Sequence, residues 1–267
     1  MLKNNKTFSL KPRQGEMIKP AELIDISGAG GISLAASKIY NRLLQNAFGP
    51  EMTKEGHTFQ ISLSELRGLH DSNDRVRPYL KDLQTTIVTA KLTDGKTRQV
   101  QLLGGIDIDD DDRKDGVLEY NFDPKLADLL RNSSIFAKLE LRVIYQFTSK
   151  YALALYEAIS RRIRMNKCIE DFTLDELRDL LRVPDGKLKR FAQLNQWAIQ
   201  PALLEVNGLA DFEVYLRPKK QGKSVVGVAM SWSWKDDIGQ QEAWKEGQRS
   251  KIGRKARLTG TVETLSS

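Results

Sequence analysis

Six polar side chains in the second half of the chain combine positive charge with amide groups at helical spacing. They are Lys187, Lys189, Arg190, Gln193, Gln196 and Gln200. On a helix, Lys189 and the glutamines would form one outward line, with Lys187 and Arg190 beside it. Arginine and lysine donate hydrogen bonds to guanine O6 and N7, glutamine pairs with adenine N6 and N7, and both types reach phosphates. The pattern indicates a helix that enters the major groove of DNA; a plain solvated face is the alternative.

A second basic cluster follows in a predicted β-hairpin. The β-rich runs 212–217 and 225–234 are joined by the loop 218–223, in which Gly222 supplies the turn. The cations of this hairpin tip are Arg217, Lys219, Lys220 and Lys223. Beside a groove-reading helix, such a tip is expected to contact the DNA backbone or the minor groove. An ordinary charged hairpin tip is the alternative.

The flanking sequence predicts the frame that would position these residues. A Thr-Leu-Asp-Glu capping box at 173–176 begins a short helix, and a Pro-Asp-Gly turn at 184–186 follows it. Helical periodicity then runs over 187–206, with a kink or a break expected at Pro201. Trp197 is expected to pack against the hairpin. Helix, turn, helix and hairpin together indicate a winged helix-turn-helix, which is a DNA-reading unit.

The first half of the chain repeats this order of elements. A helical pattern over 33–48 precedes a second capping box at 62–65, and another helix is predicted over 73–83. Alternating runs within 87–108 predict a hairpin, and 116–122 adds a strand. The repeated order predicts an α+β fold of two tandem winged-helix domains.

The helix over 73–83 is the counterpart of the basic helix in the second half. It carries Arg75, Arg77 and Lys81, which are candidate DNA contacts. Three aspartates flank them at positions 71, 74 and 82, so the local charge is mixed.

We predict four segments along the chain. Residues 1–30 form a mostly irregular arm, 31–145 the first winged-helix domain, and 146–237 the second, which is the main DNA-binding domain. Residues 238–267 form a flexible basic C-terminal tail, which lacks an apolar stripe and is expected to be disordered. Its cations could add salt-sensitive DNA affinity or could only solubilise the chain.

The start of the long helix predicted over 149–164 is a further candidate site. Ser149 and Lys150 lie where the backbone amides of a helix N-terminus can bind a phosphate. A simple N-cap by Ser149 is the alternative.

The bulk composition agrees with a polyanionic partner. The formal net charge is +7 and the isoelectric point is near 9.3. The single cysteine, Cys168, excludes an internal disulfide, and no apolar run is long enough for a signal peptide or a membrane span. We therefore expect a cytoplasmic protein without a membrane partner.

Catalytic motifs are incomplete. Two Gly-Lys-Ser/Thr triplets resemble the ends of P-loops, but the required earlier glycine is Ala90 in one and Arg217 in the other. His57 and His70 are isolated, so the His-x-His metal site of a DNA-nicking nuclease is absent, and Cys168 has no metal-ligand partners nearby in sequence. We expect no enzymatic activity, no cofactor and no bound metal.

The run 147–159, Phe-Thr-Ser-Lys-Tyr-Ala-Leu-Ala-Leu-Tyr-Glu-Ala-Ile, resembles a signature of the iteron-binding Rep family of plasmid replication initiators. The runs 172–178, 200–207 and 225–228 support the resemblance, which covers roughly residues 20–235. It implies two winged helices, of which the C-terminal one reads direct repeats at a plasmid origin. The N-terminal one would contact DNA in the monomer and form the interface of a repressor dimer.

The resemblance also implies partners from the host replication machinery, namely the initiator ATPase and the replicative helicase. The function that it predicts is an origin-binding initiator, several copies of which would strain and help to open an adjacent AT-rich segment. A winged-helix transcriptional repressor with the same two domains is the alternative. The resemblance leaves open the role of the basic tail after Trp234.

Overall fold

The computed structural model describes residues 7–67, 76–92, 95–108, 116–131 and 133–261. Two compact units divide the chain after Leu141, close to the predicted boundary after residue 145.

The first unit combines short helices with small antiparallel sheets. Its helices are α1 (Leu34–Ala47), α2 (Leu63–Arg67), α3 (Val76–Thr85) and α4 (Pro124–Leu130). Its strands are β1 (Glu16–Pro20), β2 (Phe59–Ser62), β3 (Ile87–Lys91), β4 (Thr97–Gln101), β5 (Ile106–Ile108), β6 (Val117–Tyr120) and β7 (Phe136–Glu140). The sheets have the orders β2-β6-β5, β3-β4 and β1-β7.

Helix α1 begins at Ser33, whose hydroxyl accepts a 3.1 Å hydrogen bond from the amide of Ala36. It buries Ile39 and Leu43 at helical spacing, as the sequence predicts. The hydroxyl of the buried Tyr120 donates to the carbonyl of Leu43 at 2.7 Å, so the sheet β2-β6-β5 packs against this helix. Burial raises the pKa of Tyr120 to about 12, against smaller opposing effects of Asn46 and Arg42.

Two expectations for the first unit are wrong, the first of them in part. The described residues 7–30 are mostly irregular, as predicted, but they do not form a separate arm, because β1 pairs with β7 from Glu16↔Glu140 onwards and Met17 is buried. Strand β1 is short and buried at four of its five positions, so it lacks the polar–apolar alternation by which a strand is recognised. The capping box at Ser62 and Glu65 does not form, since the Glu65 carboxylate pairs with Arg42 and Ser62 caps the amide of Ser64.

The second unit contains the sheet β8-β10-β9 and a set of helices around it. Its helices are α5 (Leu141–Gln146), α6 (Lys150–Arg162), α7 (Leu174–Leu180), α8 (Phe191–Leu194), α9 (Gln200–Leu209), α10 (Asp237–Gln248) and α11 (Arg254–Leu258). Its strands are β8 (Ile169–Thr173), β9 (Phe212–Gln221) and β10 (Ser224–Trp234).

The two units share a topology. In each unit, the strand that precedes a short helix pairs with the last strand of the sheet. Strand β2 precedes α2 in the sheet β2-β6-β5, and strand β8 precedes α7 in the sheet β8-β10-β9. The first unit inserts the hairpin β3-β4 between its third helix and this sheet. The repeat that the sequence predicts is therefore a repeat of strand order, with one additional hairpin.

Helix α6 is buried and lies at the centre of the hydrophobic core of the second unit. Leu155, Tyr156 and Ile159 are buried, and the Tyr156 ring stacks on Phe212 of β9 at a centroid distance of 5.7 Å. The predicted capping box at Thr173 is confirmed: its hydroxyl accepts from the amide of Glu176, whose carboxylate accepts from the amide of Thr173 at 2.8 Å.

The expectation of a disordered C-terminal tail is wrong over the residues that the structure describes, up to 261. Helix α10 begins at the Asp236 N-cap, and α11 follows it. The buried Glu246 carboxylate of α10 accepts from Arg254 Nε at 3.4 Å and from Arg257 Nη2 at 2.6 Å. Ionic contacts and hydrogen bonds hold this segment in place of an apolar stripe, which is why hydrophobic periodicity gives no sign of it.

Candidate nucleic-acid interface

The loop between α7 and α8 carries three candidate cations. The helix predicted to begin at Lys187 begins instead at Phe191, so Lys187, Lys189 and Arg190 belong to the loop. The predicted Pro-Asp-Gly turn is present, with the amide of Lys187 donating to the carbonyl of Pro184 at 3.0 Å. Positive φ angles of 54° at Arg182 and 50° at Leu188 bend the loop, which explains why the helix predicted from periodicity is too long.

Two contacts hold this loop. Nη2 of Arg178 in α7 donates a 2.6 Å hydrogen bond to the carbonyl of Lys189. Arg182 pairs with the fully buried Glu157 of α6 at 2.6 Å. The side chains of Lys187, Lys189 and Arg190 are exposed and have no partner among the residues that the structure describes. The loop therefore fixes the backbone of these cations while leaving their charges available.

Helices α8 and α9 form one continuous helix across a widened turn. A π-helical turn spans Asn195–Ile199, and the amide of Gln200 donates to the carbonyl of Asn195. Proline lacks an amide hydrogen and its ring collides with the carbonyl four residues earlier, so a π turn just before Pro201 relieves both problems. The helix continues through this position, where the sequence suggests a kink or a break.

We call the combined segment α8, the π turn and α9 the recognition helix. Its predicted outward glutamines Gln193, Gln196 and Gln200 are all exposed, and Gln200 Nε2 donates to Asn195 Oδ1 at 3.1 Å. Trp197 is 61% exposed, so the expectation that it packs against the hairpin is wrong. The extra residue of the π turn shifts the phase of the helix, which directs Ala198 inward and leaves Trp197 outside.

We call the hairpin β9-β10 the wing. Strands β9 and β10 pair from Gln221↔Ser224 to Phe212↔Trp234, and Gly222 occupies the turn with a φ of 60°. Three of its cations, Arg217, Lys220 and Lys223, are exposed and unpaired within the described part of the chain. The fourth, Lys219, pairs with Asp171 of β8.

The wing and the recognition helix belong to a stretch of positive charge. Between residues 182 and 223 the chain has eight Lys or Arg residues and four Asp or Glu residues. The exposed cations of this stretch lie on the wing and on the loop before the recognition helix, and they favour an anionic ligand.

The start of α6 favours the N-cap alternative over a phosphate site. The Ser149 hydroxyl accepts from the amides of Tyr151 and Ala152 at 3.2 and 3.4 Å. The amides of Thr148 and Ser149 donate to the Glu205 carboxylate at 2.9 and 3.3 Å. A carboxylate of the recognition helix thus occupies the position at which the sequence predicts a phosphate.

Lys150 is half-buried beside this helix start. Burial, and secondly the charge of Arg182, lower the pKa of Lys150. Its ammonium lies 5.4 Å from the centroid of the Tyr151 ring.

The remaining candidates belong to the first unit. Arg77 and Lys81 are exposed on α3, which begins at Val76. Arg75 lies outside the described residues.

No pattern in the sequence indicates the residues that line a cleft beside the recognition helix. This cleft has a volume of about 480 Å³ and is bordered by Gln196, Gln200 and the C-terminal residues Lys251 and Lys255. The contacts that form it join segments far apart in the chain, so residue spacing does not predict it.

Over the described ranges, no group of three or more His, Cys, Asp or Glu residues is arranged to hold a metal ion. No helix among the same residues has the length and apolar character needed to cross a bilayer.

Comparisons with known proteins agree with the fold. A family model described as "Initiator Replication protein, WH1" matches residues 16–160, and one described as "Initiator Rep protein, WH2" matches residues 173–232. These matches confirm the predicted pair of winged-helix domains and the resemblance to initiators. No curated protein matches the chain in sequence.

Among solved structures, the chain is similar to a Pi initiator protein in complex with iteron DNA. The identity is 17%, the TM-score is 0.59, and the match covers 85% of this chain and 100% of that one. Domains 2 and 3 of RctB match with 11% identity, a TM-score of 0.44, and coverage of 84% and 94%.

Proposed function

The chain belongs to the family of Rep replication initiators with two winged-helix domains, and on this basis we propose that it binds repeated double-stranded DNA at a plasmid origin and initiates replication there. The Pi initiator protein, whose fold it shares, was solved on iteron DNA. The chain would bind such direct repeats through its second unit.

The observation that supports this proposal is that the recognition helix and the loop before it both expose polar side chains. Arg190 and the glutamines Gln193 and Gln196 expose side chains that have no partner within the described residues. These groups can read base edges in the major groove. Lys187, Lys189 and the wing cations would bind phosphates and set the register of the helix on the duplex.

Binding to several adjacent repeats would provide the free energy needed to open the DNA duplex at the origin. Each lysine or arginine that neutralises a phosphate releases counterions, and bound copies that bend the DNA would strain a neighbouring AT-rich segment. In this proposal Arg75, Arg77 and Lys81 of the first unit add DNA contacts in the monomer. The first unit also forms the interface of a dimer that represses its own gene.

The proposed initiator acts without catalysis and without a cofactor, in the cytoplasm where plasmid DNA lies. It recruits the host initiator ATPase and the replicative helicase, which supply the nucleotide hydrolysis and strand separation. The incomplete P-loops and the isolated histidines of the sequence support this division of labour.

A plasmid-maintenance assay tests the proposal. The gene and its flanking DNA are placed on a plasmid without another origin, and maintenance is measured beside repression of the gene's own promoter. We expect maintenance that depends on the intact gene. Repression without any maintenance would instead identify a transcriptional repressor and overturn the initiator proposal.

A further inference from the structure

The C-terminal segment, residues 236–261, has an acidic first part and a basic second part. Residues 236–248 contain all four of its acidic residues, whereas residues 249–261 contain five cations and no acidic residue. Both α10 and α11 lie against α9 of the recognition helix. The residues of the segment that line the cleft beside this helix all come from the basic part.

Close packing places α11 beside the recognition helix. Gly208 of α9 faces Leu258 of α11, and a Cβ atom added at Gly208 would lie 2.5 Å from Leu258 Cδ1. A larger residue at position 208 would require the Leu258 side chain to shift, so the two helices are closely packed at this point.

A buried ionic cluster fixes the orientation of α11. Arg254 is 4% exposed and donates to the carbonyl and to Oε1 of Gln146, each at 2.7 Å. Arg254 and Arg257 also donate to the Glu246 carboxylate. Nε, Nη1 and Nη2 of both arginines donate hydrogen bonds within the folded segment and to Gln146, so their role is to hold the segment.

Two lysines of the C-terminal segment line the cleft beside the recognition helix. They are Lys251 and Lys255, and Gln196 and Gln200 of the recognition helix line the same cleft. Lys255 is exposed, and its ammonium has no partner within the part of the chain that the structure describes. Glu205 also lines the cleft, but its carboxylate accepts hydrogen bonds from Thr148 and Ser149.

We propose that the docked C-terminal segment is a built-in extension of the DNA interface, in which Lys251 and Lys255 bind the phosphodiester backbone next to the groove entered by the recognition helix. This inference rests on the proposed DNA binding of the second unit. The segment lies beyond residue 232, where the match to the second winged-helix model ends.

Fluorescence titration over a range of salt concentrations tests this inference. The probe is a duplex selected by the wild-type protein from a random-sequence pool. The test variant is Lys251→Ala/Lys255→Ala. The matched control is Lys167→Ala/Lys245→Ala, which removes the same charge from exposed positions of the second unit that do not line the cleft.

We expect the slope of log K against log salt to become shallower by about 0.9 for each phosphate that the test variant no longer neutralises, and to stay at the wild-type value in the control. The preference for the selected duplex over a scrambled one should stay unchanged, because phosphate contacts do not read sequence. Equal slopes in the test and control variants would overturn the inference. Failure of the wild-type protein to select any duplex would instead overturn the proposed function.

A second variant distinguishes the effect of the fixed placement of the lysines from the effect of net charge. Glu246→Gln raises the net charge by one but weakens the cluster that holds α11. If fixed placement of the lysines matters, this variant binds the same duplex more weakly than wild type despite its added charge. Tighter binding by Glu246→Gln, with circular dichroism unchanged, would show that charge alone governs affinity and would contradict the inference.

Discussion

The guanidinium of Arg178 donates a 2.6 Å hydrogen bond to the backbone carbonyl of Lys189 and so joins α7 to the loop that carries the candidate DNA-binding cations. Arg178 is half-buried, whereas Lys189 and Arg190 are exposed. The bond fixes the backbone of the loop without using the charge of either exposed cation.

Arg178→Ala should therefore weaken DNA binding, although Arg178 is not assigned a DNA contact. A hydrogen bond from a charged group contributes about 1.5–3 kcal/mol, and its removal lets the loop move. We expect a higher Kd for a selected duplex in an electrophoretic mobility shift assay, with little change in the helical circular dichroism signal. Wild-type affinity in this variant would show that the loop is held by other contacts.

Arg190→Ala should weaken specific binding by about 1–3 kcal/mol and relax the sequence preference at one base position. The reason is that a guanidinium can bond to both acceptors of a guanine. The measurement is a competition assay against duplexes substituted at each position in turn. Lys167→Ala, which removes an exposed charge away from the recognition helix, serves as its control.

The wing cations should act differently from Arg190. Lys219→Ala/Lys220→Ala should weaken binding to all duplexes uniformly and reduce the salt dependence, because both lysines are assigned to phosphates. Asp171→Asn should strengthen binding slightly, since Lys219 is then released from its intramolecular partner. Unchanged affinity in both the Lys219/Lys220 and the Arg190 variants would refute the assignment of this face to DNA.

The buried pair of Glu157 and Arg182 should control stability. Glu157 is fully buried, and its carboxylate accepts from Arg182 at 2.6 Å. Glu157→Ala leaves the arginine without its carboxylate and should lower the free energy of unfolding by about 3–5 kcal/mol. Replacement of both residues by leucine should cost less, because no unpaired charge is left behind. Urea denaturation compares the two; an equal decrease in both variants would contradict a role for the unpaired charge.

Acidification should release the C-terminal segment. Burial alone would raise the pKa of Glu246, but the hydrogen bonds and charges of Arg257 and Arg254 outweigh burial and lower it below the ordinary value of 4.5. A carboxyl group whose pKa is lower in the folded than in the unfolded chain stabilises the folded state at any pH above its pKa in the unfolded chain. This stabilisation is lost as the pH falls through the pKa of the folded state. Hydrogen exchange in α10 and α11 should therefore increase below about pH 4.5 in the wild type. Glu246→Gln should show faster exchange at neutral pH and a weaker pH dependence.

The local sequence determined much of the second unit. The capping box at Thr173 and the turn at Pro184 follow from side-chain chemistry within a few residues and form through short-range hydrogen bonds. The exposure of the glutamines follows from helical spacing. The repeated order of elements also predicts two consecutive winged helices, because hydrophobic periodicity or a capping residue in the sequence indicates each element. The family models confirm both domains.

Other features depend on contacts between distant parts of the chain, and only the tertiary structure shows them. A π turn precedes Pro201, and Trp197 within that turn is exposed. The Glu205 carboxylate reaches the start of α6, and Arg254 reaches Gln146, across long stretches of chain. Contacts between distant segments leave no periodic signal in the sequence, so only the folded chain shows that its basic C-terminal segment is docked beside the recognition helix.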